Sequence, residues 1–78
     1  MIGYSTMIGY IAKDKNGELY LYSDKPVKHK HNPMWINSGA GDFLCLDNTE
    51  FKERFKNLIF EDEPIQVHIN ITNIIKHD

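Results

Sequence analysis

Ile65-Gln66-Val67-His68-Ile69-Asn70-Ile71 alternates apolar and polar residues without a break, entered through the acidic corner Glu61-Asp62-Glu63-Pro64. In a pleated strand Ile65, Val67, Ile69 and Ile71 then share one face, and Gln66, His68 and Asn70 the other. Such a strand is half-buried by its own pattern, so the rest of the chain must supply a cover for one face. Other apolar segments are read as what packs beside or beneath it. Burying an unpaired charge there, as in Val67→Asp, is expected to abolish cooperative unfolding.

A chain of 78 residues holds one domain with a compact core. The expected fold occupies about residues 7–71, with 1–6 as an N-terminal extension, since Met1-Ile2-Gly3-Tyr4 is echoed by Met7-Ile8-Gly9-Tyr10 and Met7 can serve as an alternative start. The other reading makes that extension an added edge strand or dimer contact. With 41% hydrophobic and 26% charged residues the composition is globular. A net charge of −2 lacks the single-sign field of a nucleic-acid binder or a DNA mimic. The lone Cys45 leaves no internal disulfide, and without a signal-like apolar region the chain reads as cytoplasmic. No apolar run is long enough for a membrane span.

Met7 to Lys13 has β-type composition and Glu18-Leu19-Tyr20-Leu21-Tyr22-Ser23 is a second strand. Between them Asp14-Lys15-Asn16-Gly17 has the residues of a type I turn with a left-handed glycine, closing a hairpin. Leu19 and Leu21 share one face and Tyr20 and Tyr22 the other, so an aromatic pair is left outside if the leucines face the core. Pro26 ends the hairpin, and Val27 to Asn32 is expected to be an exposed basic loop. Met34-Trp35-Ile36 and Phe43-Leu44-Cys45-Leu46 are strand candidates around a flexible turn. Asp47 or Asn48 caps a helix of two to three turns, Glu50 standing in the capping-box position after Asp47, with Phe51, Phe55 and Leu58 as its apolar stripe. Together these predict an α+β fold: a small antiparallel sheet of four to five strands, with one short helix docked on the face made by Ile65, Val67, Ile69 and Ile71.

Gly9-Tyr10-Ile11-Ala12, Asp14 to Gly17, Leu19 to Tyr22, Lys25-Pro26, the single Trp35, and Phe60-Glu61-Asp62-Glu63-Pro64-Ile65 followed by an alternating strand form a pattern spanning about residues 7–71. In this pattern the chain resembles a group of small uncharacterised proteins of gut Bacteroidales genomes and their phages or mobile elements. The resemblance implies a fold and a phage-like setting. It assigns no site residue, and the first six residues and the His29-Lys30-His31 stretch depart from it.

Several constellations are candidates for chemistry. His29 and His31, two apart, would point the same way in an extended loop and pair as metal ligands with Cys45 or His68, yet the spacing is not that of a structural zinc motif. They are weak candidates, and no cofactor is expected. Cys45, between two leucines, reads as a small core residue. Glu61, Asp62 and Glu63 lack the spaced ligands of a calcium loop and read as a solvated bend or as the complement of a partner's basic patch. Gly39 and Gly41 are not followed by the Lys-Ser or Lys-Thr of a phosphate loop.

Tyr20 and Tyr22 near Lys25, Lys28 and Lys30 are the residues one would choose for stacking single-stranded nucleic acid. The net negative charge weighs against it, and a core or protein-interface role for the tyrosines is preferred. No Ser, His and acid stand in a catalytic arrangement, so no enzyme is expected. The expectation is therefore a non-enzymatic accessory protein that binds a host or phage protein, with inhibition of a host defence system as its suggested role. The residues expected to carry binding are Tyr20, Tyr22, Lys28, Lys30, Trp35 and the acidic corner, and a homodimer through a sheet edge is compatible with them. A nucleotide or single-stranded nucleic-acid module is the alternative, with nucleic acid disfavoured.

Overall fold

The computed structural model describes residues 6–70, and the expectations for Met1 to Ser5 and for Ile71 to Asp78 lie outside them. Strands β1 (Thr6–Lys13), β2 (Leu19–Tyr22), β3 (Val27–Lys28), β4 (Trp35–Ile36) and β5 (Phe43–Cys45) precede the helix α1 (Thr49–Arg54), and β6 (Ile65–Asn70) follows it. Four strands form an antiparallel sheet in the order β5-β2-β1-β6, and β3 and β4 form a separate two-stranded ribbon. The small α+β architecture is thus the one the pattern predicts, but Met34 to Ile36 does not join the sheet.

The first hairpin closes as its residues require. Gly17 takes a φ of 92°, its N–H donates to the Asp14 carbonyl at 2.9 Å, and the Asn16 side chain accepts from the Glu18 N–H at 2.9 Å. In the resulting register Ile11 lies across from Leu21 on one side and Ile65 on the other, and Tyr10 across from Tyr22 and Gln66. Partners across an antiparallel ladder share a face. One face therefore gathers Ile11, Leu19, Leu21 and Val67, and the opposite one Tyr10, Ala12, Tyr20 and Tyr22.

Each face has its own cover. On the first, Ile11, Leu19, Leu46 and Leu58 form a buried cluster against which Leu21, Phe55 and Val67 pack. On the second, Ala12, Tyr22 and Trp35 are buried, with Tyr10, Tyr20 and Phe60 around them. Among the described residues β1 and β2 are the interior strands of the sheet and β6 is an edge. The strand with the cleanest alternation is therefore not the centre. Ile65 is exposed, Val67 and Ile69 are half-buried, and on the other face Gln66 and His68 are open to solvent.

The helix is shorter than its periodicity predicts, and none of its residues is buried. Asn48, not Asp47, is the N-cap: its side chain accepts from the N–H groups of Glu50 at 2.6 Å and Phe51 at 3.3 Å, which puts Glu50 one position too early for a capping box. Phe51 is exposed, while Phe55 and Leu58 reach the core from the helix end and the turn beyond it. The Lys13 ammonium donates to the Phe55 carbonyl at 2.9 Å and holds that end against β1. Cys45, expected in the core, is exposed on the edge strand β5. Among the described residues no helix is long and apolar enough to cross a membrane.

Candidate functional site

The segment expected as an open basic loop, Val27 to Asn32, is instead half of the ribbon. Val27 pairs with Ile36 and Lys28 with Trp35, and the His29 N–H donates to the Met34 carbonyl at 2.8 Å. The turn is tight because the His29 Nδ1 accepts from the backbone N–H groups of both His31 and Asn32 at 3.0 Å. That nitrogen is committed to the backbone in a turn and not in an extended loop, and the two imidazole rings lie 6.2 Å apart by centroid. Among the described residues no group of three or more His, Cys, Asp or Glu is placed to hold a metal ion.

Asp14, which the pattern shows only as a turn residue, pins this ribbon to the sheet. Its Oδ1 accepts from the Trp35 N–H at 2.8 Å, and the neighbouring Lys15 N–H donates to the Pro33 carbonyl at 3.2 Å. Tyr22 adds a third tie, its hydroxyl donating to the Trp35 carbonyl at 3.2 Å. The Asp14 side chain is buried with the aromatic layer, and this burial pushes its carboxyl above the usual carboxylate range. Only a sequence cue such as an Asp at the first position of a hairpin turn, followed by a distant Trp, hints at the contact.

A cavity of about 330 Å³ opens between sheet and ribbon. Tyr20, Tyr22 and Phe43 line it from the sheet and Trp35 from the ribbon, and Asp14 and Asn37 supply polar groups. The three sheet rings lie 6.0–6.2 Å apart by centroid, the spacing of an interacting aromatic cluster. Tyr20 donates its hydroxyl to Glu18 at 2.9 Å, which pushes its pKa up to about 12. The Tyr22 hydroxyl is likewise pushed up to about 12, chiefly by burial. Trp35 Nε1 and Asn37 Oδ1 are buried without a hydrogen-bond partner among the described residues.

The lysines are elsewhere. Lys28 lies over the rings of Trp35 and Phe60, 5.4 and 4.5 Å from their centroids, and does not line the cavity; Lys30 is exposed on the ribbon turn. Lys15 does stand beside Tyr20, with Asp14 and Glu18 in the same adjoining pocket, but it is paired with Glu61, so the local balance of charge is acidic and disfavours a phosphate there. The acidic corner is partly answered within the chain. Glu61 pairs with Lys15 at 3.0 Å and Glu63 with Lys25 at 3.8 Å, while the Asp62 carboxylate accepts from the Ile59 N–H at 3.1 Å. The Lys15 hydrogen bond holds the Glu61 carboxyl below its ordinary range.

A second surface lies at the far end of the helix-side face. Leu44 on β5, which shares the helix-side face with Leu21, is 60% exposed, Phe43, which shares the ribbon-side face with Tyr22, is 59% exposed, and among the described residues β5 has no neighbour on its outer side. Beside it Met7, Leu21, Leu44 and Ile69 line a shallow, almost wholly apolar groove of about 240 Å³ that the helix does not reach.

Fold and site together define a small α+β domain with a ribbon-capped aromatic cavity and an uncovered apolar sheet edge. The chain matches no family model, no curated protein and no solved structure.

Proposed function

We propose that this chain is a non-enzymatic accessory protein, of the phage or mobile-element kind that its sequence resembles, and that it works by binding another protein. Inhibition of a host defence component is the role that this reading carries. The supporting observation is the edge strand β5, whose Phe43 and Leu44 are more than half exposed beside the groove of Leu21, Met7 and Ile69. An unpaired strand edge offers backbone donors and acceptors, and an adjoining apolar groove offers a pocket for alternate side chains of an added strand. Exposed apolar area of this kind on a small domain is a common mark of an interaction surface. A second copy of the chain could add the same strand and form a homodimer.

The test is affinity capture from host lysate with wild type and Leu44→Lys side by side, together with sedimentation of the purified chain. Leu44→Lys puts a charge on the edge without entering either buried cluster. A partner or second copy bound by the wild type and lost by the variant is expected. Identical capture by both, or nothing enriched above background and a monomer in both, would count against the edge as the binding surface.

A further inference from the structure

We propose that the cavity between sheet and ribbon is a binding site for an organic ammonium ion. The assignment goes beyond the protein-binding reading and does not rest on it: Tyr22 and Phe43 border both the cavity and the apolar groove, but Leu44, whose substitution tests that reading, does not line the cavity.

Four aromatic residues, Tyr20, Tyr22, Phe43 and Trp35, line the space, and its one ionisable group besides the two phenols is the carboxyl of Asp14. Ring faces carry negative quadrupole density and attract a cation within about 6 Å of their centroids, most strongly where water is excluded. A buried carboxylate adds direct Coulomb attraction in the same place. Next to the cavity, Glu18 accepts a hydrogen bond from the Tyr20 hydroxyl and shares an adjoining pocket with Lys15, which is itself paired with Glu61. Among the described residues no Lys or Arg lines the cavity, so an anion would be repelled and a neutral apolar ligand would leave the Asp14 charge uncompensated. A cation uses both features.

The chain already shows this aromatic layer holding an ammonium, since Lys28 sits over Trp35 and Phe60. The volume of about 330 Å³ is at the small end of ligand pockets, suited to a compact head group. Trp35 Nε1 and Asn37 Oδ1, a donor and an acceptor without partners among the described residues, belong to lining residues. A hydroxyl or amide near the ammonium could satisfy one of them, as in a free amino alcohol or an alkylated lysine within a peptide.

Trp35 is the only tryptophan, so its fluorescence reports on the cavity directly. The full chain is titrated at constant ionic strength with choline, with its neutral isostere 3,3-dimethylbutan-1-ol, and with a short peptide carrying trimethyllysine. Saturable change with choline or the peptide is expected, with affinity at least about tenfold above the isostere. Choline binding tighter than the peptide identifies a free small cation, and the reverse order a protein side chain; either order supports the site. Asp14→Asn keeps an oxygen for the Trp35 N–H and should remove most of the preference for charge. Should that variant fail to fold, the half-buried Tyr20 serves instead: Tyr20→Leu should lose cation binding and Tyr20→Phe retain it. Equal affinity for choline and the isostere, no saturable change with any cation, or unaltered binding in Tyr20→Leu would each overturn the assignment. Leu44→Lys should titrate like wild type, so failure of the edge reading and failure of this one are told apart.

Discussion

The helix side of the sheet is closed by aliphatic packing and the ribbon side by aromatic rings held with directed hydrogen bonds. Ile11, Leu19, Leu46 and Leu58 meet with no polar group among them, and the one polar tie noted there, Lys13 to the Phe55 carbonyl, is at the margin. Across the sheet, Trp35 is positioned at both its N–H and its carbonyl, by Asp14 and Tyr22. Aliphatic contact is nondirectional and tolerant of small shifts, whereas hydrogen-bonded rings fix one geometry. A recess of about 330 Å³ lies on each side, lined by Ile11, Leu21, Phe55 and Val67 under the helix and by aromatic rings under the ribbon, and the second is framed by directed hydrogen bonds that fix its shape.

The largest effect should come from charging the interior strand. Ile11→Asp puts a carboxylate into the aliphatic cluster and should leave no cooperative transition in urea. Val67→Asp, on the edge strand and half-buried, should still unfold cooperatively at a lower midpoint, because its carboxylate can turn towards water. Equal loss in both would restore β6 to the centre of the fold. Next in size is Trp35→Ala, which removes the main side chain of the ribbon layer and should cost about 3–5 kcal/mol by chemical denaturation. Leu19→Ala, its counterpart under the helix, should cost about 2–5 kcal/mol. If Trp35→Ala is nearly silent, the ribbon is an appendage and the two-layer comparison fails.

What the pattern made legible is local. The Asp14 to Gly17 turn, the split of leucines and tyrosines on β2 and the helix cap region follow from short-range chemistry, and all three form. Missed were features fixed by partners distant in the chain. The alternation of Ile65 to Ile71 specifies a two-faced strand equally well at an edge or in the middle, so periodicity could not place it. Val27 and Lys28 carry no strong strand signal; they pair because Trp35 is anchored from Asp14, twenty-one positions away. Cys45 reads as core by its leucine neighbours, but β5 is an edge and only Leu46 beyond it is buried. The cavity residues Tyr20, Tyr22 and Trp35 were visible as candidates, while Asp14, Asn37 and Phe43 needed the topology.

The anchor itself gives a smaller and more selective effect. Asp14→Ala leaves the buried Trp35 N–H unpaired and should cost about 1–3 kcal/mol. Asp14→Asn keeps an acceptor there and removes the charge that burial penalises, so at neutral pH it should melt at or above the wild-type temperature. A loss in Asp14→Asn as large as in Asp14→Ala would mean that the charge, not the hydrogen bond, holds the ribbon.

The pH dependence separates the two carboxylates that the structure perturbs in opposite directions. Asp14 has its folded pKa raised by burial, so the folded state binds that proton more tightly than the unfolded chain, and its contribution to stability grows as pH falls from the raised value towards 3.8. Glu61 has its folded pKa lowered by Lys15; its contribution is present above 4.5 and is lost as pH falls through the lowered value. Glu61 is exposed, so salt should screen its effect while leaving that of Asp14 largely intact. Thermal melts of wild type and Asp14→Asn from neutral to acid pH should therefore converge, the variant's advantage being greatest at neutrality and shrinking as Asp14 takes up its proton. Curves that stay parallel would show that the Asp14 carboxyl titrates alike in the folded and unfolded chain. Its charge would then be present at neutral pH but solvated, and its attraction for a cation in the cavity correspondingly weaker.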